Sequence, residues 1–386
     1  MKIQVTEKGK RRVLNGHPWV FRSDLDGKPE MDAGVVSVHD SRGKFLSKAL
    51  YSPRSQIALR CFTTRDETID KEFWRKRLLA ADSFRRSLSL PSDAYRVVFG
   101  ESDGIPSFVL DRYGAAFSFQ MLSAGLETQR EILLALLQEE FQPELVVERN
   151  DVTVRKLEEL PLCSQVIFGE SSTRRTITEG SLQYEVDLLE GQKTGAFLDQ
   201  RDNRLKAGEL SRGKKKALDA FAYQGWFSCP MARGAEEVTA LDQSGPACEQ
   251  IKSNAALNGI QNLSVLEVNA FDYLKEVDQR KERFDLINLD PPAFVKTRSQ
   301  LAQALKGYKE INLRALRLLD AGGLLITSSC SHHLSEAEFF EVIREAAHDA
   351  RRTVQIIGIG HQAADHPVLM NFPESNYLKC FFLRVV

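Results

Sequence analysis

A chain of 386 residues, 42% hydrophobic and 27% charged, excludes a disordered or fibrous protein and is too long for one ordinary core, so two or three domains are expected. No apolar run reaches the roughly 18–20 residues that cross a bilayer, and the opening MKIQVTEKGKRR has no apolar stretch after its charges, so neither a membrane span nor a secretory signal is expected and the cytoplasm is the expected location. The net charge of −1 hides an asymmetry: residues 1–90 carry 19 Lys and Arg against 11 Asp and Glu, which fits either a polyanion-binding module or a solvated basic surface.

Residues 1–70 read as short strands between turns. GVVSV (34–38) and IALRCF (57–62) alternate in polarity, and Asp26-Gly27, Arg42-Gly43 and Ser52-Pro53 separate the runs, which predicts a small all-β barrel. A helical period with a basic outer face follows over Phe73–Leu88. Between about 90 and 185 the spacing predicts strands at 108–110, 116–120, 145–148 and 182–189 and a helix over 127–141. From about 200 short apolar runs at 217–221, 237–241, 263–267, 286–289 and 324–328 alternate with helical stretches such as 246–258 and 301–319. Repeated β–α units predict a parallel, doubly wound sheet with its ligand at the carboxyl ends of the strands.

Those ends carry the chemistry. The first strand runs into LDAFAYQGWF (218–227), where Asp219, a loop with Phe221 and Gly225, and a following helix predict a nucleotide-type turn. The motif is not GxGxxG, so a dinucleotide is not expected. The second strand ends at Asp242, whose carboxylate is able to accept both hydroxyls of a ribose. VNAFDYL (268–274) then offers Asn269 or Asp272 to an adenine edge, with Ala270 beside them. In this order and spacing the acids favour S-adenosylmethionine. Taken singly, Asp219 and Asp242 read equally well as turn or helix-cap residues.

The fourth strand leads into NLDPPAF (288–294) and the fifth into SSCSHH (328–333), so Asp290 and Cys330 are expected on one rim. Pro291 and Pro292 stiffen a loop that presents Asp290, with Phe294, to a planar base. Carbon 5 of cytosine is too weak a nucleophile to take a methyl group unaided. A thiolate adding to carbon 6 activates it by covalent catalysis, with an acid at N3 stabilising the charge. The base must be unstacked to reach such a site. A bare Cys after a strand also reads as a small buried hydrophobe, His332 and His333 as exposed loop residues, and DPPAF-like loops also serve enzymes that methylate exocyclic amino groups. The six cysteines show no CxxC or Cys/His spacing, so no metal is expected.

Across essentially its whole length the sequence resembles the bacterial 23S ribosomal RNA cytosine-5 methyltransferases that carry an N-terminal PUA domain. The resemblance rests on GHPWVF (16–21), GESDGIPSFVLDRYG (100–114), ERNDVTVRKLE (148–158), GQKTGAFLDQRDNR (191–204), LDPPAF, SCSHH, QAADHPV (362–368) and YLK (377–379). It implies a PUA-like RNA-binding barrel over 1–72, a central mixed α/β domain over 73–188 and a Rossmann-like class I methyltransferase domain over 189–386. It further implies Cys330 as nucleophile, Asp290 as the acid supporting the base, and Gln200 in the cofactor set. Lys193 and Arg201 would join Pro291, Pro292 and Phe294 on the substrate side, while Arg204 is preferred as the holder of an internal carboxylate. The implied partner is 23S ribosomal RNA or a large-subunit assembly intermediate, and a homodimer is compatible with it.

Three positions depart from the family pattern. Trp226 stands where a second glycine is usual, with three placements open to it: narrowing the pocket, stacking on a ligand, or pointing away into packing. Asn269 stands where an acid is commoner. Ala293 occupies the place where another class of RNA cytosine-5 methyltransferases has a second cysteine, so no base for the carbon 5 proton is identified. An N-methyltransferase of guanine or adenine on the same scaffold, or a non-catalytic RNA-binding assembly factor, are the alternatives.

Overall fold

The computed structural model describes residues 1–169, 172–294 and 301–386. The chain divides into two compact units, one of residues 1–177, 186–198 and 364–375, the other of 178–185, 199–363 and 376–386.

The first unit begins with β1 (Lys2–Gln4), α1 (Glu7–Leu14), β2 (Trp19–Phe21), β3 (Gly34–His39), β4 (Phe45–Tyr51) and β5 (Ile57–Thr63), whose strands form a sheet in the order β1-β3-β4-β5-β2. The expected all-β module therefore contains a helix. Thr6 caps it by accepting the Gly9 amide at 3.3 Å, and Gly9 lets it lie against the Asp24 carbonyl, where a Cβ would come within 2.7 Å. With only Gly9 and Val13 buried along the turn of charges EKGKRR, its apolar face was too short to show as a period. Val5, Val13, Val20, Val36, Val38 and Leu59 fill the core beneath.

Next comes α2 (Lys71–Ser87), capped by Asp70, which accepts the Phe73 amide at 2.9 Å. A second sheet, β6 (Ala94–Phe99), β7 (Phe108–Tyr113), β8 (Ala116–Met121), β9 (Leu145–Arg149) and β10 (Ser164–Gly169), has the order β10-β9-β8-β7-β6. The single helix expected over 127–141 is two: α3 (Ala124–Glu127), capped by Ser123, and α4 (Arg130–Phe141). Leu50 and Phe62 of the first sheet share one core with Trp74, Leu78, Leu110 and Leu136.

β11 (Arg174–Glu179) and β12 (Leu182–Asp187) form a two-stranded sheet where the chain passes from one unit to the other. The second unit then runs α5 (Arg201–Leu210), β13 (Lys216–Ala220), α6 (Ser228–Ala232), β14 (Glu237–Asp242), α7 (Gly245–Leu257), β15 (Leu263–Glu267), α8 (Ala270–Gln279), β16 (Phe284–Leu289), α9 (Leu301–Leu318), β17 (Leu319–Ser329), α10 (Glu336–Asp349), β18 (Val354–Gly360) and β19 (Lys379–Val385). The sheet order is β15-β14-β13-β16-β17-β19-β18, parallel except for β19. Leu218, Leu241, Ile287, Leu289, Leu325 and Phe381 meet Leu274, Ile311, Leu316 and Phe339 of the helices in its core. β17 starts five residues before the expected 324. Its AGG segment takes a bulge between the Phe284↔Leu319 and Leu286↔Leu324 pairs, with Gly322 at φ +85°.

Register sets the rim. Ala220 pairs with both Leu241 and Leu289, and Leu289 pairs with Thr327. Asp242 therefore closes β14, and Asp290 and Cys330 fall just past the ends of β16 and β17, around the point where strand order reverses on either side of β13.

Candidate active site

The turn after β13 is strained: Phe221 and Tyr223, neither a glycine, have φ of +66° and +49°. It is held by hydrogen bonds. Asp242 accepts the amides of Tyr223 and Ser244, each at 2.9 Å, while Asn254 donates to the Gln224 carbonyl at 2.9 Å. Gly225, at φ +79°, touches Ile251, and a Cβ would come within 3.0 Å of it. Asp242 remains half-exposed, with lone pairs beyond those two amides. The helix expected to follow at once becomes regular only at Ser228 and is five residues long.

Asp219 lies beneath this turn, fully buried, accepting from Asn288 at 2.8 Å and from Ser228. Burial raises its carboxyl to about 6 against those hydrogen bonds. Trp226 takes the third of its open placements. Its indole stacks on Tyr184 (4.3 Å, 11°), the Arg204 guanidinium lies 4.8 Å over it, and only 6% of it is exposed. Arg204 in turn grips Glu179 with two nitrogens, the internal role preferred from the sequence.

Asn269 is exposed and caps α8, accepting the Phe271 amide at 2.9 Å, with its amide nitrogen 3.3 Å from Gln243. Ala270 is buried in the first turn of that helix and Asp272 is exposed beside it. Phe221, Phe271 and Phe294 form an aromatic cluster with centroids 5.8–6.4 Å apart, and Phe294 also packs 4.7 Å from Tyr308.

On the other side of the rim, Pro291 is buried and Pro292 exposed, and the Asp290 carboxylate accepts from Gln200 Nε2 at 2.8 Å. Asn203 donates to Gln200 Oε1 at 2.6 Å and so fixes the orientation of that amide. Burial, then the charges of Asp199 and Asp219, push Asp290 up to about 7. A carboxyl titrating there is able to give and take a proton near neutrality. Cys330 is half-buried. The turn that carries it is pinned by serines: Ser329 Oγ lies 2.9 Å and Ser331 Oγ 3.1 Å from the Tyr308 hydroxyl. His332 is exposed and stacks on Tyr377, whose hydroxyl donates to Asp199 at 2.6 Å, while His333 is exposed.

Of the residues expected on the substrate side, Lys193 belongs to the first unit, with Nζ 4.5 Å over the Phe197 ring. Arg201 belongs to the second and is fully buried, its Nε 3.5 Å from Asp202. Asn203, Tyr308, Tyr377 and Lys379 were not singled out in the sequence. Each reaches the rim through tertiary packing; the local signs are the YLK and DQRDNR stretches that contain three of them, and a buried lysine at the head of KCFFLRV, whose other charge, Arg384, is exposed. Among the described residues no group of three or more His, Cys, Asp or Glu is arranged to hold a metal ion, and no helix is long and apolar enough to cross a membrane.

Comparison with known proteins matches residues 151–356 to the model of an S-adenosylmethionine-dependent methyltransferase family and residues 3–64 to a PUA-like domain. A protein of Erwinia tasmaniensis named ribosomal RNA large subunit methyltransferase I is 39% identical over 393 residues, covering 99% of each chain. A Klebsiella pneumoniae protein of the same name is 40% identical over 394 residues, covering 99% of this chain and 98% of its own. A solved structure in complex with SAH superposes over 100% of both chains with a TM-score of 0.88 at 21% identity, which shows the fold.

Proposed function

Because the chain belongs to the S-adenosylmethionine-dependent methyltransferase family, and its relatives over nearly full length are named for large-subunit ribosomal RNA, we propose that it forms 5-methylcytosine in that RNA through a covalent adduct on Cys330. The observation that carries this reading is the pairing on one rim of a half-buried cysteine with a carboxyl titrating at about 7. The residues at hand fit the cofactor: a half-exposed carboxylate at Asp242 for the ribose, the exposed Asn269 amide, and the Phe221 and Phe271 rings for a flat purine. Gly225 and the strained turn above Asp219 would bring backbone close to the cofactor, with Ala270, Gln200 and Asp290 completing its surroundings. Bound there, S-adenosylmethionine supplies an electrophilic methyl group.

The chain's own residues do the rest. The Cys330 sulfur bonds to carbon 6, and the displaced electron pair runs through carbon 5 and carbon 4 to N3, which takes the Asp290 proton. Carbon 5 gains the methyl group and then loses its hydrogen as a proton. The carbon–sulfur bond breaks, the 5,6 double bond returns, and Asp290 recovers its proton from N3. Pro291, Pro292 and Phe294 shape the base side. Arg201 is the proposed buried support on the substrate side, and Lys193 of the first unit is a proposed RNA contact. Residues 1–72 are the proposed RNA-reading module, 73–188 the central domain and 189–386 the catalytic one, in a cytoplasmic protein.

Bisulfite sequencing of ribosomal RNA from cells with and without the gene tests the reaction. One large-subunit cytosine should lose protection in the knockout and regain it with the wild type but not with Cys330→Ala. An unchanged cytosine map refutes the reading, and methylation that survives Cys330→Ala points instead to an exocyclic amino group.

A further inference from the structure

A cysteine attacks as its thiolate, and a thiol of ordinary pKa near 8.5 is only a few per cent ionised at pH 7. Something beside Cys330 has to favour the charge. β17 ends at Ser329, which pairs across the sheet with Lys379, the first residue of antiparallel β19. Cys330 is the next residue on one side of that pair. Lys379 is only 4% exposed, an expensive place for an ammonium that serves no purpose. Its Nζ donates two hydrogen bonds of 2.7 Å, to the carbonyls of Ser331 and Leu334, so it is clamped into the turn that follows the cysteine. An ammonium has three donors, and these two carbonyls use two.

We infer that Lys379 is the cation that holds the Cys330 sulfur as a thiolate, reaching it from the neighbouring antiparallel strand. The inference rests on the cytosine-5 reading for its purpose but not for its geometry. The thiol proton leaves to solvent water and no bond forms to Lys379, which is a positioning residue acting through the sulfur. Burial lowers the Lys379 ammonium to about 8, and the Cys330 charge is the foremost influence opposing that fall, followed by Glu336 and Glu338. Lys379 is therefore still charged at pH 7. The other groups facing the sulfur's turn are Tyr308 from α9, itself raised by burial and by the Cys330 charge, Glu336 and Glu338 from α10, and the exposed His332, while Asp290 follows the end of the neighbouring strand β16.

The test is the rate of Cys330 alkylation by iodoacetamide against pH, read by peptide mass spectrometry in the full-length protein without RNA. The wild type should show an inflection below about 8.5. In Lys379→Met it should rise by about one unit or more, with alkylation at pH 7 about tenfold slower, and Lys379→Arg should restore most of the rate. Lys379→Gln keeps N–H donors without charge and should behave like Lys379→Met. An unmoved inflection in folded Lys379→Met or Lys379→Gln overturns the inference. Should neither variant fold, the wild type alone decides, because an inflection at or above about 8.5 overturns it equally. If instead the inflection moves while Cys330→Ala still methylates RNA, the cytosine-5 reading fails and the thiolate–lysine pairing stands.

Discussion

The carboxyl of Asp290 makes the proposed reaction pH-dependent in a way that can be worked from its surroundings. With its proton held to about 7 by burial and by Asp199 and Asp219, Asp290 is about nine-tenths protonated at pH 6 and about one-tenth at pH 8. If N3 must receive that proton, single-turnover methylation should fall about tenfold per unit well above pH 7, on a profile whose acid limb reports Cys330 ionisation. Asp290→Asn removes the proton donor and should cost about 10²–10⁴ in rate, or about 3–5 kcal/mol of transition-state stabilisation, while abolishing the alkaline fall. Asp199→Asn removes one of the two charges that hold the proton on, so its alkaline limb should move to lower pH. Rapid-quench assays with tritiated cofactor and an RNA fragment, at several pH values, give all three profiles. A wild-type rate still rising through pH 8.5, or an Asp290→Asn variant keeping the wild-type alkaline limb, would refute the assignment of a protonated Asp290.

The same carboxyl bears on stability. Its folded pKa lies above the unfolded one, so its contribution is present at low pH and lost as pH rises from about 4 through about 7. Asp290→Asn should therefore melt above the wild type at pH 8, by at most about 4 kcal/mol, with the gap closing toward pH 4; a gap that widens on acidification contradicts this. Trp226→Ala should cost about 3–5 kcal/mol in urea unfolding, through loss of the Tyr184 stack and the Arg204 contact. Its S-adenosylmethionine affinity by calorimetry should stay within about threefold of wild type, and a larger loss would mean that the indole contacts the ligand. RNA affinity should fall steeply with salt, and changing the exposed Lys28, Arg42 and Lys44 to Gln should reduce the log–log slope by up to about three. An unchanged slope would remove those loops of the N-terminal module from the RNA contact.

Much of this was legible in one dimension. Alternating apolar runs and helical periods marked the β–α order of the second unit, because a buried parallel strand must be apolar and a covering helix must repeat every 3.6 residues. The acids after those runs located Asp242 and Asp290, and the register later put Cys330 beside them for the same reason: a chain leaving a parallel strand has its exposed chemistry at the carboxyl end. Weak local patterns were misread. The helix Glu7–Leu14 has too few buried residues to print a period, and the Ser123 cap opens a separate short helix before Gln129.

What the sequence determined by itself was the order of elements and the rim on which the proposed chemistry sits, since both follow from local periodicity and strand direction. Tertiary structure alone decided that Trp226 turns inward, because its partners Tyr184 and Arg204 lie 42 and 22 positions away in a chain that brings them together only on folding. It alone gave Asp290 a proton near neutrality, through burial and two distant carboxylates. And it alone set Lys379, 49 positions from Cys330, beside the cysteine's turn, because antiparallel pairing between β17 and β19 is a contact that no local pattern encodes.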